Sequence, residues 1–307
     1  MTPAIRMAAA LTVALAMLSS VAATASPRVD FTIGFQGVTT DLPLVTAAVL
    51  PGATLAIETQ AGATAEVGTL GATGTGWTWV APADPGLARV TFDRGDQTLV
   101  LQVLILTPFD SSKQNRLNGF EIGRYNTTPF RGLSSYAAPK GLVDLAHGTA
   151  DLRVSPHFTL GQFLCKQQPG HDPTYLLLRP ALLIKLEALL EAARARGWDA
   201  DTFSVMSGFR TPHYNKQIGN KTTSSRHLYG GAADIFIDHD GDGRMDDLNG
   251  DGRIDKDDAR ALAALAEELA AAGGPDWPPG GIGIYGSNQV RGPFVHIDAR
   301  GYRARWG

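Results

Sequence analysis

Short runs of alternating apolar and polar residues occupy the first third of the chain. They recur at intervals of roughly ten residues, and turns containing Gly and Pro separate them. The clearest runs are Val29–Ile33, Ala53–Glu58, Trp77–Val80, Ala88–Phe92 and Thr98–Val103. Alternation of this kind is typical of half-buried strands. We therefore predict that residues 26–107 form an all-β sandwich, immunoglobulin-like in the spacing of its strands.

Periodicity is weak between residues 108 and 154, where Gly, Pro, Asn and aromatic residues are frequent. Phe120, Tyr125, Phe130 and Tyr136 are too many aromatic side chains for a solvated linker. We predict an extended connector that packs along a neighbouring element.

Residues 155–307 are predicted to form a second domain that mixes helices and strands. Pro180 suits a first helical turn, and leucines at helical spacing follow it until Gly197. A second helix is predicted from Asp257 to Ala272. Between the two helices, the run from Phe203 to Pro212 is predicted to be a strand that ends at a turn.

The amino terminus has the layout of a secretory leader. Arg6 is followed by an apolar run from Ala8 to Leu18 and by small residues that end at Ala23-Thr24-Ala25. A charged start, a short apolar core and an A-x-A site predict a signal peptide of residues 1–25. A membrane anchor would need about 18 unbroken apolar residues and stop-transfer charges. We expect an exported protein, periplasmic or associated with the cell wall, without an integral membrane span after cleavage.

The acidity of the chain is concentrated in one loop. The formal net charge is −3, and residues 238–258 alone hold nine Asp against two Arg and one Lys. The remainder has no dense basic patch, so nucleic acid is not an expected partner. A single cysteine, Cys165, excludes an internal disulfide, and we expect it to be buried and unreactive. The sequence leaves the oligomeric state open.

Two strand-like segments carry residues that bind metal ions. Alternation places Asp234 on one face of the first strand, and His296 and Asp298 on one face of the second. If these strands are neighbours, Asp234, His296 and the preceding His227 converge on a single ion. Two imidazoles and a carboxylate suit zinc, and three protein ligands leave a fourth position for water. Taken singly, a core histidine or a surface aspartate would explain each residue.

The residue pattern resembles a known family. Ser225-x-His227-x-x-Gly230-x-Ala232-x-Asp234, followed by His296-x-Asp298, is similar to the zinc D-alanyl-D-alanine carboxypeptidases that act on peptidoglycan. Their fold is shared with the vancomycin-resistance D,D-dipeptidases and the hedgehog signalling domain. Ser207-Gly208-Phe209-Arg210 resembles the family element S-G-[FY]-R, and Gly281–Tyr285 resembles the stretch before its last histidine.

The resemblance covers residues 155–307 and implies an α+β zinc domain of the hedgehog/D,D-peptidase type. It implies zinc at His227, Asp234 and His296, with Arg210 assisting the scissile carbonyl. Read on its own, Arg210 at a turn is suited to bind a peptide carboxylate or to polarise a carbonyl, or else is a solvated charge.

One position departs from the family pattern. Family members carry an acidic general base three residues before the last histidine, and Pro293 stands there in this chain. Proline cannot transfer a proton, so we propose Asp298 as the alternative base. Asp298 is equally suited to orient the ring of a ligand histidine.

The acidic loop, residues 238–258, matches a calcium-binding pattern. The twelve-residue loop supplies oxygen ligands at fixed positions around an obligatory glycine. Its predicted ligands are Asp247, Asn249, Asp251, Arg253, Asp255 and Asp258. A second, partial loop would use Asp238, Asp240, Asp242 and Asp246. The alternative is a solvated acidic loop.

Three functions fit these patterns. The first is a zinc peptidase that cleaves peptidoglycan stem peptides, as a D-Ala-D-Ala carboxypeptidase or an endopeptidase. The second is a non-catalytic wall-binding protein that keeps the zinc fold, which Pro293 permits. The third is a calcium-dependent interaction module, in which the acidic loop is the working part. We favour the peptidase, with Zn²⁺ and Ca²⁺ as cofactors and a peptidoglycan peptide as substrate.

Overall fold

A computed structural model describes residues 28–145 and 149–307. The predicted signal peptide, residues 1–25, lies outside the described residues. The described chain is mostly β-structure, with three α-helices. None of the helices in residues 28–145 and 149–307 has the length and apolarity needed to cross a membrane.

Two β-sheets fill the N-terminal part of the chain. One has the strand order β2-β1-β4-β7-β6, and the other has the order β3-β9-β8-β5. In the second sheet β3 runs parallel to β9, whereas β8 is antiparallel to both of its neighbours, β9 and β5. The strands are β1 Ile33–Phe35, β2 Val38–Thr40, β3 Leu44–Val49, β4 Thr54–Glu58, β5 Gly62–Ala65, β6 Thr69–Thr73, β7 Gly76–Val80, β8 Gly86–Arg94 and β9 Gln97–Ile105.

The inward side chains of both sheets form a single hydrophobic cluster. Trp79 belongs to this cluster and is fully buried, and its indole Nε1 donates a hydrogen bond to the carbonyl of Val67. The predicted strand Val29–Ile33 is displaced. The first strand begins only at Ile33, because the turn at Gln36 and Gly37 pairs residues 33–35 with 38–40.

The segment predicted as a connector packs into the core of the C-terminal half. Phe120, Tyr125 and Tyr136 are buried there, whereas Phe130 is exposed. Short strands organise this segment: β10 Thr107–Pro108, β11 Arg116–Leu117, β12 Phe120–Glu121 and β13 Gly141–Asp144. β13 also pairs with β14, Tyr175–Leu176, so the segment is joined to the chain beyond it. The boundaries at residues 107 and 154 stay predictions.

A five-stranded sheet of order β15-β16-β18-β17-β19 forms the centre of the C-terminal half. Its strands are β15 Ser204–Ser207, β16 Ala232–Phe236, β17 Gly281–Tyr285, β18 Phe294–Asp298 and β19 Ala304–Trp306. The helices are α1 Pro180–Ala195, α2 Pro212–Gln217 and α3 Lys256–Ala272. Helices α1 and α3 lie where the leucine spacing and the second apolar pattern predict them. Helix α2 was not predicted, and it begins where Thr211 accepts a hydrogen bond from the amide of Tyr214.

The N-terminal sheets are held to the C-terminal half by polar and apolar contacts. The guanidinium of Arg28 forms ion pairs with Asp41, Glu191 and Asp276. The hydroxyl of Thr46 donates to the carbonyl of Val154 over 2.7 Å. Ile184 of α1 is buried within the cluster of the N-terminal sheets.

Cys165 is free and buried, and burial raises the pKa of its thiol to about 11. A thiol with so high a pKa is protonated at neutral pH and is a poor nucleophile.

Truncation of Ile184 tests the contact between the two halves. Ile184→Ala removes a fully buried side chain, and we expect it to lower the free energy of unfolding by about 2–4 kcal/mol. Val67→Ala alters a side chain that is 45% exposed and should stay within about 0.5 kcal/mol of the wild type. Urea unfolding measures both. Equal midpoints for the two variants would contradict the packing described.

Candidate metal centre and active cleft

Strands β16 and β18 bring Asp234 and His296 together. The two strands are antiparallel neighbours, and Asp234 lies directly opposite His296 in their register. Side chains at directly opposite positions on one face of a sheet are close enough to interact. Asp234 Oδ1 lies 2.8 Å from His296 Nδ1.

His227 reaches the same point from the turn that precedes β16. It lies in a short 3₁₀ helix, Arg226–Tyr229, which ends at Gly230 in the left-handed region with φ 65°. A Cβ at Gly230 would lie 2.5 Å from the backbone of Leu177, so both the dihedral angle and the packing require glycine. The turn folds His227 back over the strand it leads into.

The three side chains present their ligand atoms to one another. His227 Nε2 is 3.1 Å from His296 Nδ1 and 3.3 Å from Asp234 Oδ1. Four ligands at zinc distances in a tetrahedron are separated by about 3.3 Å. The three residues are buried and form one of two groups of metal-ligand type among the described residues. Their donor set and spacing fit zinc.

The outer ring nitrogens of both histidines are occupied by acceptors. His227 Nδ1 is 2.6 Å from the carbonyl oxygen of Gly208, and His296 Nε2 is 3.0 Å from Asp298 Oδ2. Each of these nitrogens therefore carries the proton and donates it. The inner nitrogens are then left with lone pairs that face Asp234. Three lone pairs directed at one point repel each other unless a positive charge, either a proton or a metal ion, lies between them.

Asp298 lies on the far side of the His296 ring from this point. Its side chain is fully buried and accepts hydrogen bonds from Arg300 and from the backbone amide of Gly281. Asp298 is not among the residues that line the cleft over this point. The geometry favours the alternative role, in which Asp298 orients a ligand ring. The role of Asp298 as a general base stays a prediction.

Arg210 holds the other oxygen of Asp234. Its Nη2 donates to Asp234 Oδ2 over 2.5 Å, and its Nε donates to the hydroxyl of Ser207 over 2.7 Å. These contacts leave Asp234 Oδ1 to face the imidazoles. The guanidinium also lines the cleft described below, and it has further N–H groups beyond those used in these two bonds.

The pKa values of the centre follow from burial and from these contacts. Burial lowers the pKa of His227. Burial opposes ionisation of Asp234, but contacts with His227 and His296 outweigh it and lower its pKa well below the usual range. For His296, burial is outweighed by hydrogen bonds to Asp234 and Asp298, and the pKa is raised. The centre thus favours positive charge at the position of His296, between the carboxylates of Asp234 and Asp298.

An open cleft of about 830 Å³ lies over the three residues, and we refer to it as the central cleft. Its cationic lining consists of Lys166, Arg210, Arg226, Arg291 and Arg300. Asp234 is the one carboxylate among its lining residues, and Pro293 is not among them. The cleft is therefore suited to anionic ligands. Apart from Asp234, no carboxylate lines it that could replace the acidic general base of the family, whose position Pro293 occupies.

Sequence reasoning missed Trp306, which packs against the centre. Its ring centroid lies 5.1 Å from that of His296, and its Nε1 donates to the hydroxyl of Tyr285 over 2.7 Å. Gly283 is opposite His296 in the sheet, and a Cβ there would lie 2.4 Å from the indole. The only sequence signal was the small residue in Gly281-Ile282-Gly283-Ile284-Tyr285.

Ser225 lines the central cleft, and Tyr229 does not face it. Tyr229 is buried, and its ring packs between those of Tyr125 and Tyr136, with centroids 5.7 and 5.3 Å away. Tyr229 therefore joins the turn that carries His227 to the segment predicted as a connector.

The acidic loop has two parts with different geometry. Asp238, Asp240 and Asp246 form the second group of metal-ligand type among the described residues. The full loop, by which we mean the twelve-residue loop 247–258, has a different geometry. There Asp247 accepts hydrogen bonds from the amides of Gly250 and Gly252. The predicted ligands of that loop, Asp247, Asn249, Asp251, Arg253, Asp255 and Asp258, do not form such a group within residues 28–145 and 149–307.

Asp258, at the last position of the full loop, is fully buried and caps helix α3. Its two carboxylate oxygens accept from the amides of Leu248 and Asp255. These bonds account for its burial without a metal ion. Calcium at either part of the loop stays a prediction.

Comparison with known families matches residues 156–247 to the family model described as Peptidase M15. This match confirms the resemblance to zinc D-alanyl-D-alanine carboxypeptidase-type peptidases for that segment. The segment contains Arg210, His227 and Asp234, whereas His296 and Asp298 lie beyond it. It supports a zinc metallopeptidase of the type that acts on peptidoglycan. Searches of curated proteins and of solved structures gave no match.

Removal of the Asp298 charge tests its positioning role. In Asp298→Asn we expect zinc affinity to fall by about 10- to 100-fold, because the His296 ring loses its carboxylate partner. Competition with a chromogenic chelator measures the affinity, and circular dichroism checks the fold. Unchanged zinc affinity together with lost activity would instead support Asp298 as the general base.

Proposed function

We propose that this chain is an exported zinc peptidase that hydrolyses peptide bonds in peptidoglycan stem peptides. One observation carries the proposal: His227, Asp234 and His296 direct three ligand atoms at one point beneath an open, cationic cleft. The match of residues 156–247 to Peptidase M15 supports the reaction class. The signal-like residues 1–25 support export to the periplasm or the cell wall.

His227, Asp234 and His296 would hold the zinc ion, which would supply Lewis acidity and activate a water at neutral pH. The other residues of the centre have positioning roles. Asp298 and Gly208 orient the two histidine rings, and Arg210 holds Asp234 while it lines the cleft. A guanidinium at this place is suited to stabilise negative charge that develops on the scissile carbonyl oxygen.

The cationic lining favours a substrate that carries carboxylates. Lys166 and Arg291 line the central cleft without an ion-pair partner among the described residues, whereas Arg210 pairs with Asp234 and Arg300 with Asp298. A cleft lined by one sign of charge raises the local concentration of the opposite charge. Stem peptides with free carboxylates meet this requirement.

A second function is favoured by one specific feature. The central cleft has Asp234 as the one carboxylate among its lining residues, and Pro293 occupies the position of the family base. The second candidate is therefore a wall-binding protein that keeps the zinc fold without turnover. Binding of stem peptides with no change in their mass would identify it.

The two N-terminal sheets are proposed to be an immunoglobulin-like accessory module. The support is the pairing β3-β9-β8-β5 opposite β2-β1-β4-β7-β6 around one core.

Loss of one zinc ligand tests the function directly. His296→Ala should bind no zinc and should not cleave stem peptides, because the remaining pair cannot enclose the ion. His239→Ala is the matched control, since His239 is an exposed histidine outside the centre. Metal analysis gives the stoichiometry, and mass spectrometry of digested muropeptides gives the cleavage. Chelator-resistant cleavage by the wild type would contradict a zinc peptidase.

We also propose calcium at the acidic loop, residues 238–258, where Asp238, Asp240 and Asp246 approach one another. Calorimetric titration should show calcium binding that Asp240→Asn weakens, because one of the carboxylates in this group is lost. Absence of a binding heat at millimolar calcium would leave a solvated acidic loop.

A further inference from the structure

Helix α1 contacts both the N-terminal sheets and the five-stranded sheet of the C-terminal half. Ile184 is buried in the hydrophobic cluster of the N-terminal sheets. Successive residues of a helix point about 100° apart, so the next residue, Lys185, faces a different neighbour. Its Nζ donates to the backbone carbonyl of Asp298, at the end of β18, over 2.9 Å. A charged side chain of α1 is thus in contact with the strand that carries His296.

Lys185 is buried without a carboxylate partner. It is 1% exposed, and no carboxylate of residues 28–145 and 149–307 forms an ion pair with its ammonium. The ammonium lies 4.7 Å from the centroid of the Trp277 ring. Burial lowers the pKa of Lys185 to about 8, so the side chain is mostly protonated at neutral pH.

A lysine is almost never fully buried unless it is paired. A methionine or a leucine at position 185 would fill the same space without the cost of removing a charge from water. The charge of Lys185 therefore requires an explanation other than packing.

Gly280 makes room for the contact between α1 and β18. A Cβ at Gly280 would collide with the carbonyl oxygen of Asp298 and would lie 2.7 Å from Lys185 Nζ. The next residue, Gly281, donates its amide to Asp298 Oδ1 over 2.8 Å. The carbonyl and the carboxylate of Asp298 are therefore both held, one by α1 and the other by the first residue of β17.

Asp298 connects this contact to the metal centre. It is the last residue of β18, and its Oδ2 lies 3.0 Å from His296 Nε2. Against the effect of burial, the Asp298 carboxylate acts to raise the pKa of Lys185, so the two charges attract each other across the end of the strand. The partner of the outer nitrogen of a ligand histidine fixes the orientation of the ring.

We propose that Lys185 is a positioning residue of the metal centre: its ammonium fixes the end of β18, so that Asp298 holds the His296 ring in the orientation for metal binding. Lys185 acts through Asp298 and is not among the residues that line the central cleft. This role rests on the proposed zinc peptidase function, since it presupposes zinc at the centre.

A purely structural role of Lys185 has a different consequence. If Lys185 only joined α1 to the sheet, its loss would lower the free energy of unfolding and leave the zinc affinity of the folded protein unchanged. A positioning role requires the reverse. Removal of a lone buried charge takes away a desolvation cost, while the His296 ring loses a support. Zinc affinity and stability together therefore separate the two roles.

The test uses Lys185→Met in the full-length protein, because methionine is also long and unbranched but carries no charge. We expect zinc affinity to fall by about tenfold or more, since support for a ligand histidine is lost. Competition with a chromogenic chelator measures the affinity. The urea midpoint of the metal-free variant should equal or exceed that of the metal-free wild type. The visible absorption spectrum of the cobalt-substituted variant should differ from that of the wild type, because this spectrum reports the ligand geometry.

Two further variants complete the test. Lys185→Gln also removes the ammonium but keeps a polar side chain. It should weaken zinc binding too, and it takes the place of Lys185→Met if the methionine variant does not fold. Ile184→Ala is the matched control, because it truncates the adjacent residue of α1, which packs against the N-terminal sheets. It should lower the urea midpoint but keep the zinc affinity and the cobalt spectrum of the wild type.

The outcomes have distinct meanings. Wild-type zinc affinity in the folded Lys185 variants would overturn the positioning role and leave the zinc peptidase standing. An equal loss of zinc affinity in Ile184→Ala and Lys185→Met would also overturn it, since zinc binding would then follow stability alone. A wild-type protein that binds no zinc would overturn the proposed function, and the role of Lys185 with it.

Discussion

Three lone pairs that face one point are the constraint on which the C-terminal half depends. His227, Asp234 and His296 are buried, and their ligand atoms lie 2.8 to 3.3 Å apart. Burial of such a group without a counter-charge is unfavourable, since the low dielectric of the interior strengthens the repulsion. The surrounding residues do not place a positive charge between the three ligand atoms. Each outer ring nitrogen already has an acceptor, so the position left for a cation is the one between the three ligand atoms.

The second layer of contacts makes this arrangement rigid. Asp298 is enclosed by Arg300 and by the amide of Gly281, and the ammonium of buried Lys185 donates to its backbone carbonyl over 2.9 Å. Trp306 covers the other side of His296, where Gly283 leaves space for it. Because three strands of one sheet supply these groups, the imidazole cannot rotate without disturbing β17 and β19. Metal sites supported in this way hold their ligands close to the geometry that the ion requires.

Local patterns in the sequence were enough to predict the ligands but not the roles of their neighbours. Alternation put Asp234 on one strand face and put His296 and Asp298 together on another, and the structure makes the two strands neighbours. The contacts that fix the Asp298 side chain come from Gly281 on β17 and from Arg300, two residues further along the chain. Its role could not be predicted from the spacing of two residues. The same holds for Trp306, whose position follows from the parallel pairing of β17 with β19.

The aromatic segment between the two halves, residues 108–154, is a second case in which the sequence predicted a property but not the contacts behind it. Its composition predicted that it packs against a neighbour, but composition does not say which one. The structure places it against the turn that carries His227. Arg179 and Arg226 both donate to the carbonyl of Ser135, and the Tyr136 ring lies 4.4 Å from the guanidinium of Arg226.

Arg226 is fully buried beside His227, and its contacts reach back to this segment rather than to a carboxylate. The segment therefore holds the turn that carries His227 from behind, so the position of the imidazole is set before any ligand arrives. Preorganisation of this kind lowers the entropic cost of binding.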